Sequence, residues 1–301
     1  MGKRPNCNSF FAGATHYFPK HSELDVSHRT LNVRRMFALG SKDFPQSAAD
    51  FERAIDESLR RYARKEGPMV TVSSRVFPYF DDIAINLDGA QFDSRIPTPP
   101  PIAGETKHAC EAAIVTLSAR NIPVQGAPIS FRMEVRDVVF HKGQDENGDA
   151  LLIVQKARDG HIVVSAAQLD IENAIAAIAR AEAAKNGVSI ENVRLALRAR
   201  GARSVAANVR LQVRKFLFRA NVDISGQLDI TDDFVAKVSQ LKCRGDGAIG
   251  SLACGLLEPH LKRLDGHIFP LMSLPLGEVQ LRDVRITVAD TVEITADFGS
   301  A

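Results

Sequence analysis

The chain of 301 residues is 45% hydrophobic and 25% charged, which is typical of a globular protein with a substantial core and excludes a disordered or fibrous one. Its 38 basic and 36 acidic residues leave a formal charge of +2, so no field of the whole molecule attracts a polyanion and any attraction to phosphate is local. Dedicated nucleic-acid binding is therefore disfavoured.

The first predicted segment, residues 1–45, is a loosely ordered N-terminal arm. It mixes histidine and arginine with turn formers and has no sustained helical or strand period. Its histidines share no helix or strand face, so we expect solvated side chains and no metal site in this arm.

A first helix is predicted to begin at Ser47. Serine followed three residues later by an acid, Asp50, is a capping-box pattern in which the hydroxyl accepts a backbone N–H. The apolar residues of this segment fall on one stripe, namely Phe51, Ile55, Leu59 and Tyr62. Glycine and proline at 67–68 are expected to end the helix.

Alternation of apolar and polar residues predicts a series of strands after this helix. The strands cover residues 69–75, 83–87, 112–119, 129–140, 151–155 and 162–165. The turn formers at 145–149 predict one hairpin, and Asp159-Gly160 predicts a second. The proline run at 97–101 is interpreted as an extended surface loop.

The pattern then repeats, starting at a second capping box formed by Ser165 and Gln168. An apolar stripe at Ile171, Ile175 and Ile178 predicts a second helix that ends near residue 186. Strands with one apolar and one polar face are predicted to follow over residues 193–238.

A third helix is predicted over residues 248–264, where Pro259 is expected to kink or divide it. Closing strands are predicted over 279–281, 284–288 and 292–296, with a bulge at Arg282-Asp283. Helix plus antiparallel sheet, built twice, is an α+β fold. We therefore predict a single domain over residues 46–301, whose pseudo-repeated halves cover about 46–164 and 165–301.

No cofactor or metal site is predicted from the motifs. Gly245 to Gly250 matches the pattern GxGxxG and Asp265 follows at about twenty residues, yet the residues before the motif are polar and no second strand precedes Asp265. This stretch is therefore interpreted as a flexible turn. The cysteines at positions 7, 110, 243 and 254 form no CxxC pair, so we expect buried or idle thiols and no structural zinc.

No catalytic set is predicted either, and we expect that the protein is not an enzyme. The sequence contains none of the patterns of a phosphate-binding loop, a zinc protease or a nucleophile elbow. A general base at His260 or His267, oriented by Asp265, is the enzymatic alternative. It lacks a nucleophile and an oxyanion donor nearby in the sequence.

Short pieces of the chain, in their order, carry a family resemblance. The pieces are 76–80 (VFPYF), 83–85 (IAI), 122–126 (IPVQG), 135–138 (VRDV), the helix from Ser165, 269–277 (FPLMSLPLG) and 281–284 (LRDV). In this order they resemble the LmeA-like phospholipid-binding family, whose members look like tubular lipid-binding (TULIP) domains. The resemblance implies long curved antiparallel sheets wrapped around helices, an apolar groove for acyl chains, anionic lipid ligands and association with the cell envelope.

The functional hypothesis is non-enzymatic binding, with transfer as an extension, of a phospholipid or similar amphiphile in an apolar groove near a membrane. The candidate lipid-binding residues are Ile175, Ile178, Val209, Leu211, Phe216, Phe218 and Phe234, with Arg210 and Arg214 for the phosphate headgroup. For each apolar residue, ordinary core packing is an equal alternative, and for the arginines a solvated strand face is the favoured interpretation. The rival hypothesis is a scaffold with a solid core that docks a partner or membrane through Ile249, Leu252 and Leu256.

The cellular location is left open. The chain contains no apolar run of the roughly 18 residues that a membrane-spanning helix needs, and residues 1–20 lack the apolar region of a secretory signal. These features lead us to expect a cytoplasmic or peripheral membrane protein, whereas the family resemblance suggests the cell envelope.

Overall fold

The computed structural model describes residues 36–92, 101–124, 126–185, 187–215, 218–271 and 279–300. The chain divides into two compact units, of which Met1–Asn32 lies outside the described residues and Val33–Ala301 contains all of them. The described chain is rich in strands and contains a few helices, which confirms the α+β class. The proline run at 97–101 lies almost wholly outside the described residues.

Strands and helices of the described chain follow one another in a fixed order. The strands are β1 (Met36–Ala38), β2 (Ala63–Arg64), β3 (Val70–Ser73), β4 (Tyr79–Asn86), β5 (Gln91–Phe92), β6 (Ile102–Val124), β7 (Ala127–Asp145), β8 (Ala150–Lys156), β9 (Asp159–Ala167), β10 (Ser189–Gly201), β11 (Ser204–Lys215), β12 (Phe218–Ile230), β13 (Val235–Gly245), β14 (Ile268–Pro270), β15 (Val279–Val288) and β16 (Thr291–Ser300). The helices are α1 (Ala48–Leu59), α2 (Gln168–Ala184) and α3 (Gly247–Leu264).

Two large sheets carry most of these strands. The larger has nine strands in the order β15-β16-β9-β7-β6-β4-β3, with β8 beside β7 and β1 beside β8. The second has five strands in the order β10-β11-β12-β13-β14. All neighbours in them are antiparallel except β4 and β6, which run parallel. The antiparallel sheets that the family resemblance implies are thus found except at this pair, which is joined by a connection longer than a hairpin, as parallel neighbours require.

The first helix confirms the predicted cap and corrects the predicted end. The Ser47 hydroxyl accepts the backbone N–H of Asp50 at 3.1 Å, as the capping pattern requires. The helix ends at Leu59, before Tyr62, because residues 63–64 leave the helix to pair with β5. The Arg60 guanidinium then donates to the carbonyl of Gly67 at 2.6 Å and holds the turn.

The predicted capping box at Ser165 is wrong. Ser165 lies inside β9, where it pairs with Ser130 on one side and Glu293 on the other, so ladder hydrogen bonds compete with the cap. α2 starts at Gln168, three residues after the predicted cap Ser165. Its N-cap is Ala167, which makes no side-chain cap hydrogen bond. The predicted end near residue 186 is close to the observed last residue, Ala184.

The second predicted hairpin is also wrong. β8 and β9 do not pair with each other but follow one another along the same edge of β7. Gly160 serves packing and not a turn, because a Cβ at this position would overlap the ring of Phe298 in β16. The first hairpin, between β7 and β8, is confirmed, and so is the bulge at Arg282-Asp283 between β15 and β16.

The last residues of the predicted N-terminal arm, from Met36 onward, form a strand and pack on the core. β1 pairs with the end of β8, and Leu39 directly after it is only 2% exposed. The buried Ser58 hydroxyl of α1 donates to the Leu39 carbonyl at 2.8 Å, so this part of the arm is tied to the core. Residues 1–35 lie outside the described residues.

The core of the nine-stranded sheet lies beneath α1. Phe51 and Ile55 of the helix are buried, and the Phe51 ring lies 4.7 Å from the Phe80 ring of β4. These rings belong to a cluster that continues through β6 and β7 at Val115 and Val135. The apolar stripe predicted for the first helix therefore faces the sheet, as an amphipathic helix requires.

The apolar face of the five-stranded sheet is covered by α2 and α3. Ala176 of α2 and Ile249 of α3 share one cluster with Leu211, Val213 and Val222 of the sheet. Farther along the same face, β15 of the other sheet packs on Val205 and Ile230, in a cluster that includes Val284 and Ile286. Three elements thus fill the apolar side of this sheet.

A disulfide joins Cys243 of β13 to Cys254 of α3, with a Cα–Cα distance of 5.5 Å. The expectation of idle thiols is therefore wrong for this pair. Its members are 11 residues apart and meet because α3 folds back onto β13. Cys110 is a free buried thiol, as expected, and burial raises its pKa to about 12.

One outermost strand of each large sheet is protected by a carboxylate of a helix. The Val72 N–H on edge strand β3 donates to the Glu52 carboxylate of α1 at 3.0 Å. The Leu195 N–H on edge strand β10 donates to the Glu172 carboxylate of α2 at 2.6 Å. Carboxylates in these places occupy donors that another chain's strand would otherwise use, so edge pairing with a partner is opposed.

Membrane-spanning helices are not found in the part of the chain that the structure describes, since none of its helices is both long and apolar enough.

Pro259 lies within α3, which continues through it to Leu264 and is not divided.

Candidate functional site

Three of the predicted lipid-binding residues come together, but in the protein's own core. Ile175 of α2 packs against the cluster that contains Leu211, and Val209 lies at its border. Leu211 is 7% exposed, so its side chain is already covered by protein. These residues stabilise the contact between α2 and the five-stranded sheet and do not line an open groove.

The other predicted apolar contacts are dispersed. Phe234 lies in the cluster beneath β15, where the Arg203 guanidinium is 5.2 Å from its ring centroid. Ile178 on α2 is 47% exposed and Phe218 at the start of β12 is 65% exposed. Phe216 lies outside the described residues. The structure therefore does not gather the predicted set around one cavity.

The contact patch predicted on the third helix is only partly exposed. Ile249 is half-buried against the five-stranded sheet, and Leu252 is 61% exposed. Leu256 lies in α3, but its side chain is not among those described. Of this predicted patch, only Leu252 is described as an exposed apolar side chain.

The two predicted headgroup arginines lie on the outer, polar face of the five-stranded sheet. Alternation along β11 puts Arg210 and Arg214 opposite the side that carries Val209 and Leu211. Arg210 donates to Asp223 at 2.8 Å, and this hydrogen bond raises the pKa of Arg210. Arg214 lies 3.2 Å from Glu191. The headgroup arginines and the apolar contacts predicted on β11 therefore lie on opposite faces of the five-stranded sheet.

An open groove of about 660 Å³ runs across this outer face, and we call it the basic groove. Five basic side chains line it, namely Arg194, Arg198, Arg200, Arg210 and Lys242. Cross-strand register brings them together, since Arg194 pairs with Arg210 and Lys242 lies two strands away from β11. No carboxylate is among the described lining residues.

The floor of the basic groove is made of small and polar residues. Ala196 and Ala206 keep the centre of the sheet low between the long arginine side chains. The Gln227 amide already donates to the Ser204 hydroxyl at 3.2 Å and to the Asp229 carboxylate at 2.8 Å. Asn208 and Ser225 add an amide and a hydroxyl group, which donate hydrogen bonds to phosphate or hydroxyl oxygens without adding charge.

Charge in the basic groove is largely uncompensated. Arg194 lies 3.7 Å from Glu172, and Arg210 forms an ion pair with Asp223. Within the described residues, Arg198 and Lys242 have no carboxylate at ion-pairing distance. An adjoining groove of about 410 Å³ shares Arg210 and Lys242 and adds Arg244 with Asp223. The region therefore has a local positive charge far above the balance of the whole chain.

This arrangement suits an anionic ligand. Guanidinium groups donate paired hydrogen bonds to phosphate or carboxylate oxygens. Among the described residues that line the groove there is neither a histidine, a cysteine nor an acid. In the part of the chain that the structure describes, no group of three or more potential metal ligands comes together.

The glycine motif has a structural role. β13, which precedes it, is antiparallel to both of its neighbours, unlike the parallel strand of a dinucleotide-binding unit. A Cβ on Gly245 would overlap the backbone of Gly250, so these glycines allow the first turn of α3 to cross the end of β13 closely. The segment predicted as a flexible turn is therefore the place where β13 and α3 cross closely.

The enzymatic alternative gains no support from the geometry around Asp265. Its carboxylate accepts the backbone N–H of Leu241 at 3.0 Å, next to Gln240, whose φ is +56°. This bond accounts for the carboxylate as a structural group in the bend of β13. The side chain of His260 is outside those described.

The basic groove was missed because its residues are dispersed along the sequence. Arg194, Arg198 and Arg210 all occupy the polar positions of alternating strands, which is a visible but common signal. Only the register between β10, β11, β12 and β13 shows that they and Lys242 surround one space.

Three comparisons with known proteins found no match: neither a family model, nor a curated protein, nor a solved structure resembles this chain detectably.

Proposed function

We propose that the protein binds an anionic phospholipid, or a similar anionic amphiphile, at a membrane surface and without catalysis. The observation that carries this proposal is the basic groove, in which five basic side chains and no carboxylate line about 660 Å³. In this proposal the groove takes the phosphate of the headgroup, which is bound by Arg198, Arg200 and Lys242, the lining cations that form no ion pair within the described residues.

The electrostatics favour an anionic surface over a neutral one. Each Lys or Arg close to an anionic membrane contributes roughly 1 kcal/mol. Arg210 and Arg194 are partly satisfied by Asp223 and Glu172, so the three remaining basic side chains supply most of the attraction. About 3 kcal/mol corresponds to a preference of roughly a hundredfold for anionic over neutral vesicles at low salt.

Apolar contact for an acyl chain is available on the nine-stranded sheet. Ile294, Val164 and Phe131 form one cross-strand row, and Ile162 and Met133 pair in the next. Ile294 is 38% exposed, whereas Phe131, Met133 and Ile162 pack against the core cluster of this sheet, so the exposed part of this face is at Ile294. Each CH₂ buried there contributes about 0.8 kcal/mol.

The TULIP-like repeat remains part of this proposal. It is supported by the packing of α1 on the nine-stranded sheet and of α2, together with α3, on the five-stranded one. Long strands such as β6, with 23 residues, fit the expected extended sheets. The closing hairpin β15-β16 pairs with β9 through β16, so the second proposed half, 165–301, contributes two strands to the sheet of the first half, 46–164.

The test is co-sedimentation with vesicles of phosphatidylglycerol and phosphatidylcholine at low and high salt. Arg198→Gln with Lys242→Gln is expected to lower binding to anionic vesicles roughly 10- to 30-fold, because two cations near the surface are lost. The matched control is Arg75→Gln with Lys107→Gln, which removes the same charge from exposed positions in the bend after β3 and on β6 of the nine-stranded sheet. Equal loss in both variants, or no binding by the unaltered protein, would refute the role of the groove.

A scaffold without lipid is the second candidate. It is favoured by one observation, the burial of Ile175 and Leu211 in the protein's own core. Solvent extraction of the purified protein followed by mass spectrometry separates the two candidates. Phospholipid in the extract supports the lipid proposal, whereas a lipid-free protein that sediments with no vesicle supports the scaffold.

A further inference from the structure

The end of the β11-β12 hairpin exposes an aromatic side chain beside three cations. Phe218 is 65% exposed and lies opposite Lys215, the last pair of the hairpin ladder. The next pair is Arg214 opposite Arg219. An exposed Phe surrounded by basic residues is an unusual use of a large apolar side chain in a water-facing hairpin.

The two sides of this hairpin end differ in character. Strand alternation puts Arg214 and Arg219 on the outer face, in line with Arg210 of the basic groove. Phe218 lies on the opposite face, which is buried one row farther at Ala220. The apolar side of the hairpin thus continues beyond the part that the protein covers.

The cations at this end are incompletely neutralised. Glu191 accepts from both arginines, at 3.2 Å from Arg214 and 3.1 Å from Arg219. One carboxylate therefore serves two guanidinium groups that face each other across the ladder. Like charges in directly opposite positions repel each other, so a further anion at this end would be stabilising.

We propose that this hairpin end is a membrane-contact element: Phe218 inserts into the boundary between headgroups and acyl chains of an anionic bilayer, while Arg214 and Arg219 bind lipid phosphates. Aromatic bodies with neighbouring basic groups are favoured in this layer, because the ring leaves water and the cations stay at the phosphates. The inference rests on the proposed function, since Arg214 and Arg219 share the outer face with the basic groove, whereas Phe218, on the other face, is reached by the bilayer only at the hairpin end. It adds the depth and orientation of contact that the groove alone does not define.

Fluorescence gives a direct test, because the chain contains no tryptophan. Phe218→Trp introduces one fluorophore at the hairpin end, and Phe92→Trp introduces one at another exposed phenylalanine, which is 45% exposed on β5. With phosphatidylglycerol vesicles the emission of the Trp at 218 is expected to shift to the blue and to be quenched by brominated acyl chains. The Trp at 92 is expected to change in neither respect.

A second variant measures the contribution to binding. Phe218→Ala is expected to weaken binding to phosphatidylglycerol vesicles about tenfold, with an unchanged circular dichroism spectrum, because an exposed side chain is removed. Vesicle binding that is unaffected by Phe218→Ala, with no quenching at 218, would overturn the inference and leave the groove proposal intact. Failure of the unaltered protein to bind any vesicle would overturn both.

Discussion

Arg203 connects the two large sheets, and its removal gives a sharp test of how they are held together. It follows β10 in the turn to β11 and reaches β15 of the other sheet. Its guanidinium donates to the Asp283 carboxylate at 2.8 Å and to the Val284 carbonyl at 3.1 Å. A third contact, to Asp232 at 3.0 Å, is fully exposed to solvent.

The magnitude follows from how exposed each partner is. Arg203 and Asp283 are each 26% exposed, whereas Asp232 is 105% exposed. Charge-assisted hydrogen bonds in partly buried positions contribute about 1.5–3 kcal/mol, and exposed ion pairs about 0–1 kcal/mol. We expect Arg203→Met to lower the free energy of unfolding by about 2–3 kcal/mol, and Asp232→Asn by about 0.5 kcal/mol or less.

Differential scanning calorimetry measures this difference. In a protein of this size 1 kcal/mol corresponds to roughly 2–4 °C in Tm, so Arg203→Met should melt roughly 5–10 °C lower. The hydrogen bond from Arg203 also holds the pKa of Asp283 below its ordinary value of 3.8. The stabilisation by this hydrogen bond is therefore complete at neutral pH. It is lost as the pH falls below 3.8 and through the lowered pKa of Asp283, so the difference in Tm between Arg203→Met and Asp232→Asn should become smaller in acid. Equal Tm values for Arg203→Met and Asp232→Asn at neutral pH would refute this account.

Three further predictions concern the cysteines and the core. Cys243→Ser should lower the free energy of unfolding by about 3 kcal/mol in calorimetry, because the disulfide to Cys254 no longer restricts the unfolded chain, and peptide mapping without reductant should show that pair intact in the unaltered protein. Cys110 should resist alkylation in the native state at pH 8, since burial raises its pKa to about 12; rapid labelling before unfolding would contradict its burial. Phe51→Ala should cost about 3–5 kcal/mol in urea unfolding, while Phe92→Ala costs less than about 1 kcal/mol; similar costs would argue against the core beneath α1.

Local pattern sufficed where one segment decides its own structure. The α1 cap at Ser47, the apolar stripe at Phe51 and Ile55, the hairpin at 145–149 and the bulge at Arg282-Asp283 were all predicted, because caps, turns and alternation depend on neighbours in the sequence. The same reasoning failed where partners are distant. Asp159-Gly160 predicts a turn, yet the glycine at 160 is required because the ring of Phe298 leaves no space for a Cβ there.

The candidate site shows the same division. The sequence indicated strands with one apolar and one polar face, and it placed Arg210 among the residues that meet a phosphate; the structure puts Arg210 in the basic groove and leaves the phosphate to be tested. It did not reveal that α2, α3 and β15 fill the apolar face, nor that Cys243 meets Cys254.

By itself the sequence determined the class of the fold, the positions of most strands and which face of each strand is polar, because the alternation of side chains is a local property of the backbone. Tertiary structure alone decided which apolar faces are covered and which basic residues share a space. Arg198 and Lys242 are 44 residues apart in the chain, and only the pairing of four strands between β10 and β13 places them in one groove, since cross-strand register depends on the packing of the whole sheet.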